Sequence, residues 1–149
     1  PDLWAGVLAE VPFVDVVTSM LDSSLPLTAQ EWFEWGNPHI AEQYEWLAAY
    51  SPMLHLPPVD HRPPLLATGA VHDVRVLVRE PARWVARLRA SDPNLGTGTD
   101  SSSPSSPGTV LLRVETGAGA HGGPSGRYAE LAYEAEVYAW ALHCLGVTE

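Results

Sequence analysis

Two periodicities of apolar residues divide this chain into strands and helices. Residues 5–17, Ala-Gly-Val-Leu-Ala-Glu-Val-Pro-Phe-Val-Asp-Val-Val, are largely apolar and β-branched. That is the pattern of a buried strand, expected to end near Pro12 because proline brings no N–H to a ladder. After a short connecting segment, Thr28-Ala29-Gln30-Glu31 has the form of a capping box, which predicts a short helix through Trp35 stopped by Gly36-Asn37-Pro38. A second helix is predicted from about Ile40 to Tyr50, ahead of Ser51-Pro52. Pro57-Pro58 and Pro63-Pro64 bracket a loop, and residues 65–69, Leu-Leu-Ala-Thr-Gly, read as a short buried strand. Glu80-Pro81 opens a helix on which Trp84, Val85 and Leu88 make one apolar stripe, with Arg83, Arg87 and Arg89 mostly outside it. Val110-Leu111-Leu112-Arg113-Val114 reads as a third strand, and residues 127–145 as a long helix with Leu131, Ala135, Tyr138 and Leu142 at helical spacing.

The order β-(αα)-β-α-β-α predicts an α/β fold, a parallel sheet with crossover helices. Three strands are too few to close such a core, so the first strand should have neighbours that this chain does not supply. The isolated chain is therefore expected to be only marginally stable. Between residues 91 and 109 the composition shifts to Ser, Gly, Pro and Thr, which predicts a disordered surface loop inserted between helix and strand. No internal repeat is visible.

A length of 149 residues with 46% hydrophobic content suits one globular domain. No apolar run reaches the roughly 18 residues of a membrane span, and no basic segment followed by an apolar one opens the chain as a secretory signal would. Because the first residue is Pro1, the sequence is expected to be a piece of a longer one. The net charge is −10, and nine acidic residues precede the first basic one, Arg62. Such a field disfavours nucleic acid and anionic membranes. The six tryptophans lack the basic interleaving of a nucleic-acid stacking platform. The single cysteine, Cys144, excludes an internal disulfide framework and any multi-cysteine zinc site, and it fits a reducing, cytoplasmic compartment. Placed in an apolar helical tail, it reads as a buried structural thiol.

Chemistry gathers at two places. Gly69-Ala70-Val71-His72-Asp73-Val74-Arg75 puts an aspartate just past the second strand, and Gly119-Ala120-His121-Gly122-Gly123-Pro124-Ser125-Gly126-Arg127 puts a histidine in a glycine-rich loop past the third. Asp before His, each beyond the carboxyl end of a parallel strand, is the order of an α/β-hydrolase triad. A surface-loop aspartate and an exposed loop histidine are the alternatives. What should precede them is a serine in a Gly-x-Ser-x-Gly elbow, and no serine here occupies one; Ser125 follows the histidine and has Arg127 where the last glycine belongs. The histidines His39, His55, His61 and His143 show no metal-ligand spacing with supporting carboxylates, so no metal site is expected.

Several longer words resemble oligopeptidase B, a branch of the prolyl oligopeptidase family of serine peptidases. They are Pro1-Asp2-Leu3-Trp4, Val11-Pro12-Phe13-Val14-Asp15-Val16, Met20-Leu21-Asp22, Pro26-Leu27-Thr28, Glu34-Trp35-Gly36-Asn37-Pro38 and Tyr50-Ser51-Pro52. Further on come Thr68-Gly69, His72-Asp73, residues 80–86 (Glu-Pro-Ala-Arg-Trp-Val-Ala), His121-Gly122-Gly123 and Ser125-Gly126-Arg127. The resemblance covers nearly the whole chain except 91–109. It implies that residues 1–149 are the C-terminal, incomplete part of an α/β-hydrolase peptidase catalytic domain. It also implies a serine-type endopeptidase that cleaves short peptides after Arg or Lys, without a cofactor, with the rest of the catalytic domain and a gating β-propeller as partners.

On that resemblance Asp73 and His121 are the triad's aspartate and general base, Glu31 helps form the pocket for a basic side chain, and Arg75 hydrogen-bonds a substrate carbonyl. Oligopeptidase B often has a second acidic residue where this chain has Phe33. A related hydrolase of non-basic specificity is therefore one alternative, and a capping-box role for Glu31 or a solvated-loop role for Arg75 are local ones. Lacking the nucleophile, the chain alone is expected to be inactive. A non-catalytic remnant or interaction module is the alternative from another class.

Overall fold

The computed structural model describes residues 3–92 and 108–147. Its order is β1 (Val7–Ala9), α1 (Val16–Leu21), α2 (Thr28–Trp35), α3 (Ala41–Tyr50), a 3-10 turn (Val59–His61), β2 (Leu65–Ala70), α4 (Arg79–Ala90), β3 (Val110–Glu115) and α5 (Arg127–Cys144). The three strands are parallel in the order β1-β2-β3, with Val7 beside Leu65 and Leu65 beside Val110. This is the α/β fold expected from the alternation of elements. Most of the stretch expected to be a disordered loop, residues 93–107, lies outside the described residues.

All six residues of the central strand, β2, are buried, which is why it is apolar but for Thr68 and shows no alternation. Leu65, Ala67, Val85, Leu88 and Val110 form a core between the sheet and α4, so the Val85–Leu88 stripe does face the sheet. Arg62, almost wholly buried, fixes the far end of α4. Its guanidinium donates to the Leu88 carbonyl at 2.8 Å and to Ser91 Oγ at 2.9 Å, meeting the helix where its last carbonyls lack partners.

Residues 5–17 are not one strand. β1 ends at Ala9, Val11 has φ 44°, and Pro12 brings no N–H, so the ladder stops and the chain turns away. The apolar residues beyond, Val16 and Val17, are buried in α1 instead, against Met20 and Leu47, with Trp32 and Ala48 packed on them. This second core belongs to the α1–α3 excursion alone. Leu47 is fully buried in it, and Leu47→Ala is expected to cost about 3 kcal/mol, read as a lower thermal-denaturation midpoint together with early loss of α1–α3 helicity.

Two local expectations are corrected. α2 occupies the predicted span, but Thr28 lies inside it. The N-cap is Leu27 at φ 70°, no side chain caps it, and the Leu27 carbonyl accepts from Gln30 and Glu31 N–H at 2.8 and 3.0 Å. The capping-box role of Glu31 therefore falls away. On α5 the stripe that packs inward contains Tyr133 and Val137, whereas Leu131, Tyr138 and Leu142 are exposed. Both stripes have helical spacing, and spacing alone does not say which one meets the sheet.

Candidate active site

Parallel register sets Ala70 beside Glu115, so the loops leaving β2 and β3 emerge side by side at the carboxyl edge of the sheet. The Val71 N–H to Glu115 carbonyl bond, 2.9 Å, extends this pairing one residue past the strands. The β2 loop carries Asp73 and the β3 loop carries His121, 48 residues apart in sequence. His121 Nδ1–H donates to Asp73 Oδ2 at 2.8 Å.

The Asp73 side chain is wholly buried. Its other oxygen, Oδ1, accepts from the Arg75 N–H at 2.8 Å and the Val76 N–H at 3.0 Å. An acidic group taken out of water needs such donors, and here they also fix the carboxylate's direction. A carboxylate only accepts, so the proton between the two groups sits on Nδ1. In the neutral ring Nε2 then keeps its lone pair. The His121 ring is 44% exposed and is thus open to a group brought from outside.

The histidine loop is shaped by glycines. Gly123 has φ +91° and donates its N–H to the Ala120 carbonyl at 2.9 Å, closing a turn around His121. Gly119 passes so close to this turn that a Cβ there would fall 2.2 Å from the Gly123 carbonyl oxygen. Beneath the loop lies a cavity of about 230 Å³, lined in part by Glu10, Thr68, Glu115, His121 and Tyr133. Tyr133 OH donates to Glu10 Oε1 at 3.3 Å, and the Arg113 guanidinium stands 4.3 Å from its ring centre. Burial pushes the Tyr133 phenol above its ordinary pKa, and the carboxylate of Glu10 adds to the rise.

Of the four residues singled out in the sequence, the structure brings Asp73 and His121 together. Arg75 reaches Asp73 through its backbone N–H, while its exposed guanidinium has no hydrogen-bonding or ion-pair partner among the described residues. Glu31 is half-buried in the first turn of α2 and is bonded to neither Asp73 nor His121. Among the described residues no serine hydroxyl is bonded to His121, and Ser125 is exposed ahead of α5. No group of three or more metal-ligating side chains occurs among the described residues, nor is any helix long and apolar enough to cross a membrane. Cys144 is partly buried, and that burial raises its thiol pKa.

Sequence reasoning missed two features of the site's surroundings. Tyr133 lies on an α5 stripe other than the one whose helical spacing is most evident in the sequence. Glu80 is 1% exposed and accepts from the Val14 N–H at 3.0 Å, the Asp15 N–H at 2.6 Å and Ser19 Oγ. Its only advance signal was a Glu beside Pro at a helix start, where carboxylates are common for local reasons.

A parallel sheet with crossover helices and an aspartate–histidine pair at its carboxyl edge defines the α/β-hydrolase class. Within that class the chain belongs to the prolyl oligopeptidase family of serine peptidases, whose sequence profile matches residues 1–148. It is 43% identical over 146 residues to Protease 2 of Moraxella lacunata, covering 98% of this chain and 19% of that protein. It is also 41% identical over 147 residues to dipeptidyl aminopeptidase BI of Pseudoxanthomonas mexicana, covering 99% of this chain and 18% of the relative. Among solved structures, oligopeptidase B from Trypanosoma brucei, in a closed form with covalently bound antipain, superposes with a TM-score of 0.82 at 37% identity, over 100% of this chain and 19% of that one. The chain thus spans about a fifth of the length of these relatives.

Proposed function

We propose that this chain is the Asp- and His-bearing part of the catalytic domain of a serine endopeptidase that cleaves short peptides after Arg or Lys. The observation that carries the reading is the 2.8 Å bond between the half-exposed His121 and the wholly buried Asp73. In this reading a serine hydroxyl, supplied with its oxyanion-hole amides by a segment outside the chain, attacks the scissile carbonyl as Nε2 of His121 takes its proton. Asp73 stabilises the resulting imidazolium, and His121 then passes the proton to the leaving amine. Glu31 pairs with the cationic side chain before the scissile bond, and the exposed guanidinium of Arg75 donates to a substrate carbonyl. The rest of the catalytic domain and a β-propeller that limits access are its covalent partners. Cytoplasmic residence belongs to the same reading and rests on the lone cysteine, Cys144, which suits a reducing compartment.

Among the described residues no nucleophile stands against His121. Loss of a triad serine costs about a million-fold in rate, so the chain alone is expected to be inactive and to take up no fluorophosphonate. A stoichiometric adduct would overturn this.

The reading is tested by seating this chain in place of the matching segment of Moraxella lacunata Protease 2. The chimera is expected to cleave fluorogenic arginyl substrates in preference to prolyl ones, and Glu31→Gln to lower kcat/KM for the arginyl substrate by about 100-fold, the scale of an unpaired charge in a partly desolvated site. A preference for proline, or an unaffected Glu31→Gln variant, would remove Glu31 from the pocket and favour the non-basic alternative that Phe33 suggests.

A further inference from the structure

The α1–α3 excursion and the sheet have separate apolar cores that share no residue. The bonds between them are polar and follow the first turns of α4. Glu80 holds the entry to α1 through the Val14 and Asp15 N–H groups and Ser19 Oγ. One turn on, Arg83 Nη1 donates to Asp15 Oδ2 at 2.6 Å, and before it Arg79 lies 3.6 Å from Asp22. The point that Glu80 grips is also where the excursion returns, because the Val14 carbonyl accepts from the Met53 N–H at 3.0 Å and from Ser51 Oγ at 3.2 Å. One buried carboxylate thus secures both ends of the segment that carries Glu31.

Asp73 needs none of this. Its oxygens are satisfied within its own loop and by His121. We propose that Glu80 is a positioning residue that sets where the α1–α3 segment, and with it Glu31, stands relative to the Asp73–His121 pair. It governs affinity for the cationic side chain and leaves the chemical step alone. This rests on the pocket role of Glu31 given above.

Two measurements separate the latch from that role. Glu80→Gln keeps the shape but replaces a charged acceptor by a weaker one and an amide N–H. Seated in the Protease 2 chimera, it is expected to speed amide hydrogen exchange across residues 14–50 by about tenfold, with β2 and residues 71–76 unchanged. In the chimera, Glu80→Gln is expected to raise KM for an arginyl substrate by about tenfold with kcat within twofold. Arg83→Ala, which removes a half-exposed partner of Asp15, should move both in the same direction by less. Unchanged exchange in the excursion, an equal rise in the sheet, or a fall in kcat at constant KM would overturn the proposal. If the unsubstituted chimera instead prefers proline, the pocket role of Glu31 fails, and the exchange result alone then decides whether Glu80 is the latch.

Discussion

On the proposed triad, Asp73→Asn in the Protease 2 chimera is expected to lower kcat by about four orders of magnitude while leaving the fold in place. The Asn carbonyl oxygen can still accept from the Arg75 and Val76 N–H groups, as Oδ1 of Asp73 does, so the loop keeps its internal bonds. The amide NH2 then faces His121. It donates to Nδ1, the ring proton moves to Nε2, and the nitrogen that should take the serine proton no longer has a lone pair to offer. KM for an arginyl substrate should change only a few-fold and the melting temperature by a few degrees, so the loss falls on the chemical step. Activity within tenfold of the unsubstituted enzyme would remove Asp73 from the triad.

The second large effect comes from a residue with no chemistry of its own. Gly119→Ala puts a Cβ 2.2 Å from the Gly123 carbonyl oxygen and 2.7 Å from Pro124 Cα, and both obstacles are backbone, so no rotamer change relieves the overlap. The turn closed by the Gly123 N–H to Ala120 carbonyl bond must open, carrying His121 with it. A displacement on the order of 1 Å at a catalytic base costs about 100-fold in kcat. Gly122→Ala is the matched control, since a Cβ there meets nothing within 4 Å. Equal activities for the two variants would show that His121 tolerates movement of its loop.

Much of the scaffold is legible locally. β2 is buried along all six residues and apolar but for Thr68, so it lacks the alternation of a half-exposed strand and is legible without its neighbours. α3 lies within a residue of its predicted bounds and α4 begins one residue before the predicted Glu80, because Ser51-Pro52 and Glu80-Pro81 mark those ends and α4 has a single apolar stripe. The Asp73–His121 pair is legible for another reason. Each residue follows a strand, and parallel register leaves adjacent strand ends no choice but to bring the following loops together.

α1 was not legible, because Val14, Val16 and Val17 are as β-branched and apolar as the residues of any strand. What turns them into a helix entry is a carboxylate more than sixty residues away. Likewise α5 offers two stripes, and the choice of Tyr133 over Leu131 depends on what the sheet and the glycine turn present to it.

The sequence by itself thus determined the α/β order, the central strand and the two loops that meet at its carboxyl edge, because burial on both faces and strand direction act through near neighbours in the chain. Only the tertiary structure decided that residues 14–17 enter a helix, that α5 buries Tyr133, and that Glu80 joins two separate cores. A buried polar group takes its partners from wherever the fold delivers them, and sequence distance carries no record of that choice.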